Sequence, residues 1–369
     1  VTGLRVLLYT NVDSAQAGGV QAVVRSLACG LAGRGHRVSS GWAERGRPDR
    51  RRNAGWAEPF HVRRNSARWL HLPTAARLIL RLLRERPQIV NIHFASPSAL
   101  YFVALAPWLG YRVVVTCHGS DILRPLPEDA PYLAQVIGGA DAVTAVSDDI
   151  AAQLVDEGLA PRIAPVVIAN GVDTHFWHPG PPRQAGDGDR LLVAVGRLER
   201  VKGFDVLIGA CAALARRGCR ARLVIIGEGS QHESLVQQVA RLGVQDMVHF
   251  AGRRSPEDIR AYLHEADLFV LPSRSEGMPL ALMEAMATGT PAVAADVGGV
   301  ADTAGNGARL VPPDDPEALA EAVADLLGDP DARAALGKKA RARAEAFSVA
   351  GAHDAYDALM RDLVRPRRA

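Results

Sequence analysis

The sequence predicts an α/β protein made of two doubly wound, parallel-sheet domains, and three observations carry that expectation. Short apolar runs of strand character alternate with segments of helical period along most of the chain. The alternation breaks at residues 178–189 (HPGPPRQAGDGD), dense in Pro and Gly and without periodicity, and it restarts at Leu191. A length of 369 residues is also about twice that of a typical domain. The expected boundaries are a first domain at 1–177, a second at 190–349 and a closing segment at 350–369.

The first element is a strand over residues 5–9, followed by a loop and by Gly18-Gly19-Val20, which opens a helix. Val20, Val23, Val24, Leu27 and Leu31 repeat there at helical spacing, Gly35 closes the helix, and residues 37–42 form the next strand. A strand, glycine turn and helix can cradle a phosphate, although G-x-G-x-x-G is absent and Gly18-Gly19 equally suits a tight turn. Residues 43–60 read as a surface loop. Over 73–86 a basic helix carries Arg77, Arg81 and Arg84 on one face. It suits either an anionic lipid surface or a crossover with a solvated arginine face, and the strand expected at 89–94 favours the crossover. A strand at 112–116 then runs into His118-Gly119-Ser120-Asp121, a polar cluster at the sheet edge where open α/β sheets bind ligands. His118 can donate to a sugar hydroxyl or to developing charge, or it can simply brace the loop. Strands at 142–146 and 166–168, a helix capped by Ser147 and the turn Asn170-Gly171-Val172-Asp173 complete this half.

In the second half a strand at 191–195 leads into Gly196-Arg197-Leu198 and Lys202-Gly203, so Arg197 and Lys202 flank a turn suited to a diphosphate. Strands at 222–226, 248–251 and 267–271 follow, the second of them ending in Gly252-Arg253. Residues 271–300 are the stretch around which the rest is organised. Glu276 falls in a turn and Glu284 eight positions later on a helix, with Pro279 expected in its first turn. The amides of Gly277, Met278, Pro279's neighbours and Leu280 would crowd the helix N-terminus, where partial positive charge suits a phosphate. Taken alone, the glutamate pair also fits a helix with one capping and one solvated carboxylate. Gly289 stops this helix, a strand follows at 292–295, and the end of the chain is helical at 317–327, 331–347 and 350–364.

Composition bounds the partners. The apolar share of 48% is that of a globular protein, and the net charge is only +3. Arginine is nevertheless concentrated at 45–52 and 63–86, which suggests an anionic partner for the first half. No aromatic and glycine interleaving, helix-turn-helix or zinc pattern accompanies it, so nucleic acid is not expected. Cys29, Cys117, Cys211 and Cys219 have no paired spacing and read as reduced core residues of a cytoplasmic protein. Neither a secretory leader nor a spanning run of about eighteen apolar residues is expected. Any membrane contact would then be peripheral, through the helix at 73–86.

Taken together, these motifs resemble the family-4 retaining glycosyltransferases. The resemblance rests on Gly18-Gly19-Val20, His118-Gly119-Ser120-Asp121, Asn170-Gly171-Val172-Asp173, Gly196-Arg197-Leu198 with Lys202-Gly203, and Glu276-Gly277-Met278-Pro279-Leu280 with Glu284. It spans nearly the whole chain and implies the GT-B fold: two Rossmann-like domains facing a cleft, with a final helix crossing back to the first domain. By resemblance, Arg197 and Lys202 grip the donor diphosphate together with Gly19 and the segment Gly277, Met278, Pro279 and Leu280. Glu284 accepts the ribose hydroxyls, a role that suits an acceptor-only carboxylate. Gly252 and Arg253 meet the base, Glu276 and His118 act at the donor sugar, and Asp121 faces the acceptor.

The resemblance further implies a nucleoside-diphosphate sugar as donor substrate, UDP preferred over GDP, a sugar or natural-product acceptor, no cofactor and no metal. For the chemistry it implies a front-face displacement with retention, since no third carboxylate in these motifs offers itself as a nucleophile. Two other classes fit part of the pattern. A sugar-nucleotide epimerase shares the fold but would need no acceptor, and a sugar-nucleotide sensor would need neither Glu276 nor His118.

Overall fold

The computed structural model describes residues 3–10, 18–44, 60–63, 72–119, 122, 130–159, 164–181 and 190–365. Its elements in chain order are β1 (Arg5–Thr10), α1 (Gly19–Gly33), β2 (Arg37–Glu44), β3 (Phe60–Arg63), α2 (Leu72–Glu85), β4 (Ile89–His93), α3 (Leu100–Leu109), β5 (Arg112–Cys117), α4 (Ala130–Gly138), β6 (Ala142–Ala145), α5 (Asp148–Asp156) and β7 (Val166–Val167). They continue as β8 (Arg190–Val195), α6 (Phe204–Arg216), β9 (Ala221–Ile226), α7 (His232–Leu242), β10 (Val248–Gly252), α8 (Pro256–Glu265), β11 (Leu268–Leu271), α9 (Leu280–Ala287), β12 (Ala292–Ala295), α10 (Val300–Ala304), β13 (Ala308–Val311), α11 (Pro316–Gly328), α12 (Pro330–Glu345) and α13 (Val349–Val364).

The chain divides into two compact units, Val1–Gly171 with Val349–Ala369, and Val172–Ser348. The first holds a seven-stranded parallel sheet in the order β3-β2-β1-β4-β5-β6-β7. The second holds a six-stranded parallel sheet in the order β10-β9-β8-β11-β12-β13. In each the strand order reverses at the first strand of the unit, which is the doubly wound pattern. The central strands are buried on both faces and accordingly read as continuous apolar runs, as in Val113, Val114 and Val115 or Leu268, Phe269 and Val270.

The chain passes between units at Gly171/Val172, ahead of the Pro- and Gly-rich segment 178–189, of which 182–189 lie outside the described residues. Residues beyond Gly171 belong to the second unit for a visible reason. Arg260 donates to Phe176 O (2.8 Å) and stacks on its ring, while Arg341 donates to Trp177 O (3.0 Å) and Ala287 O (2.6 Å). The final helix α13 belongs to the first unit. Tyr356 and Met360 enter the core formed by Leu4, Val6, Leu8, Val24 and Leu27. Polar anchors flank that contact: Ser26 Oγ with His353 Nε2 (3.1 Å), Arg34 with Asp354 (2.6 Å) and His36 Nε2 with Asp357 (2.7 Å).

Several expectations change. Strands β3 and β13 and helix α10 were not anticipated, each being only four or five residues long. Pro279 is the N-cap of α9 with extended backbone (φ −77°, ψ 107°), so the helix opens at Leu280. Cys29 is exposed, whereas Cys117 and Cys211 are buried; none of the four cysteines is in a disulfide. Arg81 is ion-paired with Glu85 and half-buried, which leaves Arg77 and Arg84 as the solvated arginines of α2.

Candidate active site

In the second unit the polar residues gather just past the carboxyl ends of the strands. The loop after β8 turns through Gly196, Arg197 and Leu198 and is stitched to its neighbours by backbone bonds. Gly196 N donates to Ile226 O (3.0 Å), Leu198 N to Glu228 O (2.9 Å) and Gly227 N to Gly252 O (3.0 Å). Such an approach needs glycine: a Cβ on Gly227, whose φ is +146°, would lie 1.9 Å from Gly196 O. Gly252 ends β10 with φ +67°, and Arg253 beside it is exposed, as is Arg197.

Lys202 ends a one-turn 3-10 segment, Arg200–Lys202, closed by Gly203 at φ +65°. A Cβ on Gly203 would meet Pro272 O at 1.9 Å, so this glycine lets the Lys202 turn press against the loop that carries Glu276. The two loops are then clamped by Arg274. Its backbone N donates to Val201 O (2.8 Å), and its guanidinium donates to Arg200 O (2.7 Å), bidentately to Asp205 (2.8 and 2.7 Å) and to Asp314 (2.5 Å). Burial alone would raise the Asp205 carboxyl, but the hydrogen bonds and charge of Arg274 outweigh it and hold it low.

Held this way, Lys202 Nζ donates to Glu276 Oε1 at 2.6 Å, and Ser273 Oγ donates to the same oxygen at 2.7 Å. Glu276 is only 8% exposed. Four residues on, α9 begins, and its first intrahelical bond runs from Met283 N to Pro279 O (3.2 Å). The amides of the first turn therefore have no carbonyl in their own helix to bond, the usual condition for an anion site. Gly277, Met278 and Pro279 are buried and Leu280 half-buried. Glu284 stands about 6 Å further along the axis. It keeps part of its surface in water, yet burial pushes its carboxyl up to about 8.

The first unit, taken by itself, has a different cluster at its own strand ends. His118, one residue beyond β5, has Nε2 3.1 Å from Nδ1 of His93, the last residue of β4. Both rings are buried. Burial pushes His118 down to about 4, and burial followed by the neighbouring His118 charge pushes His93 well below its ordinary value, so both are neutral at pH 7. Phe94 follows at φ +81°, an uncommon conformation for a bulky side chain, with its N–H bonded to Thr116 O (3.1 Å). Gly19 is the exposed first residue of α1. Asp121, expected to face the acceptor, lies outside the described residues. Among the described residues no group of three His, Cys, Asp or Glu side chains could hold a metal ion.

The structure thus joins Lys202 directly to Glu276 and ties the Arg197 loop to Gly252. The sequence reading did not single out Ser273, Arg274, Asp205 or His93. Arg274 and Asp205 are 69 residues apart, and no local pattern signals their pairing. His93 was legible only as the polar end of a largely apolar strand.

Residues 17–176 match the family described as Glycosyltransferase Family 4, and residues 181–343 match Glycosyl transferases group 1. The chain belongs to the family-4 glycosyltransferases. It is 33% identical over 315 residues to the GDP-mannose-dependent alpha-(1-6)-phosphatidylinositol monomannoside mannosyltransferase of Mycolicibacterium smegmatis, covering 80% of this chain and 79% of that protein. The fold is that of GT-B structures. Sucrose-phosphate synthase from Thermosynechococcus elongatus superposes with a TM-score of 0.83 at 23% identity, covering 97% of this chain and 98% of that one. Anabaena HepE in complex with UDP and glucose gives a TM-score of 0.79 at 20% identity, covering 97% and 99%.

Proposed function

We propose that this protein is a retaining glycosyltransferase that moves a hexosyl-type sugar from a nucleoside-diphosphate sugar to a hydroxyl of a glycan, glycolipid or small natural-product acceptor. The observation that carries the reading is the part-buried Lys202–Glu276 pair (2.6 Å) beside the N-terminus of α9. It sets an ammonium, a carboxylate and a helix N-terminus within one short stretch of the sheet edge. Lys202 and Arg197 stabilise the charge that builds on the departing diphosphate, together with the amides of Gly277 and Met278 ahead of α9 and of Leu280 at its start. Gly19 approaches the same phosphates. Glu284 accepts the ribose hydroxyls, and Gly252 and Arg253 face the base. Glu276 and His118 act on the donor sugar, and Asp121 on the acceptor. Retention is assigned to front-face displacement, with the leaving phosphate taking the acceptor proton and no metal or cofactor required.

The base is the open variable of specificity. The mannosyltransferase relative is named for GDP-mannose, whereas HepE binds UDP and glucose. A thermal-shift panel of UDP- and GDP-sugars, followed by a transfer assay with the stabilising donor, tests the proposal. A ligand at one hundred times its dissociation constant adds about 2.7 kcal/mol. Stabilisation by no nucleoside diphosphate would overturn the reading, and formation of an epimer from donor alone would replace transfer by epimerisation.

We also place peripheral contact with anionic lipid on α2 and α3, which pack together. Trp108 is 86% exposed, and Leu80 (68%) and Leu83 (52%) lie beside the solvated Arg77 and Arg84. Among the described residues no helix is long and apolar enough to cross a membrane. Co-sedimentation with anionic but not zwitterionic vesicles, lost in Trp108→Glu, is the expected result.

A further inference from the structure

The carboxylate of Glu276 is held unevenly. Lys202 Nζ donates to Oε1 at 2.6 Å and Ser273 Oγ donates to the same oxygen at 2.7 Å, while among the described residues no donor is bonded to Oε2. Each carboxylate oxygen accepts through its own lone pairs, so the two donors occupy Oε1 and leave the acceptor capacity of Oε2 for another group. That group meets Glu276 just past the carboxyl end of β11, where open α/β sheets bind ligands.

Lys202 does not by itself choose the oxygen. An ammonium is a compact charge with rotatable donors on a flexible stem, and it can equally bridge both oxygens of a carboxylate. Ser273 has a single O–H on a short side chain. It is fully buried, and its backbone is fixed on both sides: Pro272 O packs against Gly203, where a Cβ would lie 1.9 Å away, and Arg274 N donates to Val201 O at 2.8 Å. The backbone of Glu276 is pinned as well, its carbonyl accepting from Gly299 N at 3.1 Å. With both backbones held, the serine hydroxyl fixes which oxygen turns toward Lys202. The spacing Ser-x-x-Glu also suits a capping box, but no helix opens here. α9 begins at Leu280, and the bond from Ser273 joins two side chains instead of a side chain and a backbone N–H.

We infer that Ser273 is a positioning residue that, with Lys202, holds Glu276 by one oxygen and so presents the other, Oε2, to the donor sugar as a hydrogen-bond acceptor. The group so selected is a sugar O–H, and a fluorine or methoxy group in its place, which cannot donate, is not held. The glutamate rotamer is then ordered before the donor arrives, so its side-chain entropy is not lost on binding. The inference rests on the reading of Glu276 as a residue that acts on the donor sugar.

High-resolution crystal structures of the ligand-free wild-type protein and of Ser273→Ala test the placement without any substrate. In wild type both donors should share one carboxylate oxygen, and in Ser273→Ala the carboxylate should turn until Lys202 bridges both. A carboxylate that keeps its wild-type orientation in Ser273→Ala overturns the inference. In transfer kinetics Ser273→Ala should lower kcat about tenfold while nucleoside-diphosphate Kd stays within about twofold. Ser273→Cys, close in size but a weak donor, should behave like Ser273→Ala, and wild-type kcat in the cysteine variant would make Ser273 a packing residue only. Glu276→Gln should be nearly as damaging as Glu276→Ala, because its amide oxygen takes the two donors and an NH2 group then stands where Oε2 stood. In the Glu276→Ala background Ser273→Ala should cost nothing further, and equal losses in both backgrounds would again count against positioning. If Glu276→Ala alone leaves kcat unchanged, the assignment of Glu276 fails instead, and the two crystal structures still decide which oxygen is held.

Discussion

At the residue scale the Lys202 ammonium serves two partners. It pairs with Glu276 at 2.6 Å, and it is assigned to the donor diphosphate, which must compete for it or share it. Lys202→Ala should lower nucleoside-diphosphate affinity by about 2–5 kcal/mol, the range for truncating one partner of a largely desolvated charge pair. Calorimetry with UDP and GDP checks it, and unchanged affinity for both would take Lys202 out of the site. The two glutamates should separate by function. Glu284→Ala weakens the bare nucleotide, whereas Glu276→Ala lowers the transfer rate about a hundredfold or more with nucleotide affinity nearly intact. The reverse order of effects would overturn both assignments. Glu284 also predicts a pH signature. Its folded value of about 8 lies above that of an unfolded carboxyl, so the native state holds the extra proton between these values. Stability therefore falls as pH rises from about 4.3 through 8, and Glu284→Gln should flatten that fall, raising Tm above pH 8 by about 2–4 °C per kcal/mol recovered. A ligand that bonds the ionised carboxylate should release protons on binding at pH 7, which is visible as a buffer-dependent binding enthalpy.

At the scale of elements, the strands that build each sheet were legible because buried parallel strands are continuous apolar runs, and residues just past their carboxyl ends could be read as facing ligand. Arg197, Lys202 and Glu276 were singled out on that ground, and Glu284 on its place in the helix that follows. What stayed hidden was pairing. Nothing local in the sequence says that Arg274 clamps the Lys202 turn through Asp205, or that Ser273 shares an oxygen of Glu276 with Lys202. The short β3, β13 and α10 have too few residues to show a period. The turn at Gly203 makes the dependence on element geometry testable. Gly203→Ala forces a Cβ to 1.9 Å from Pro272 O at a φ of +65°, so the Lys202 turn and the Glu276 loop must separate. The expected cost is about 1–3 kcal/mol of stability, with weakened nucleotide binding. A variant as stable as wild type by chemical denaturation would mean that the two loops move apart freely.

At the scale of the molecule, α13 completes the core of a unit whose strands were laid down more than 170 residues earlier, between Val166–Val167 and Val349. Deleting residues 350–369 should expose the apolar surface around Leu4, Val24 and Leu27 while leaving the 172–348 unit largely formed. Transfer activity should then fall far more than nucleotide affinity. Full activity in the truncated protein would reduce α13 to an appendage.

The bridge between Val172 and Ser348, with Val172 N donating to Phe347 O at 2.8 Å, brings the two ends of the second unit side by side. In topological terms the second unit, Val172–Ser348, is an insertion within the first. A polypeptide emerging from the ribosome therefore carries all of residues 172–348 before α13 is made. The same adjacency makes residues 172–348 a natural cassette. With its ends already paired, it can be excised, or its ends joined by a short linker and new ones opened elsewhere, without stretching the chain.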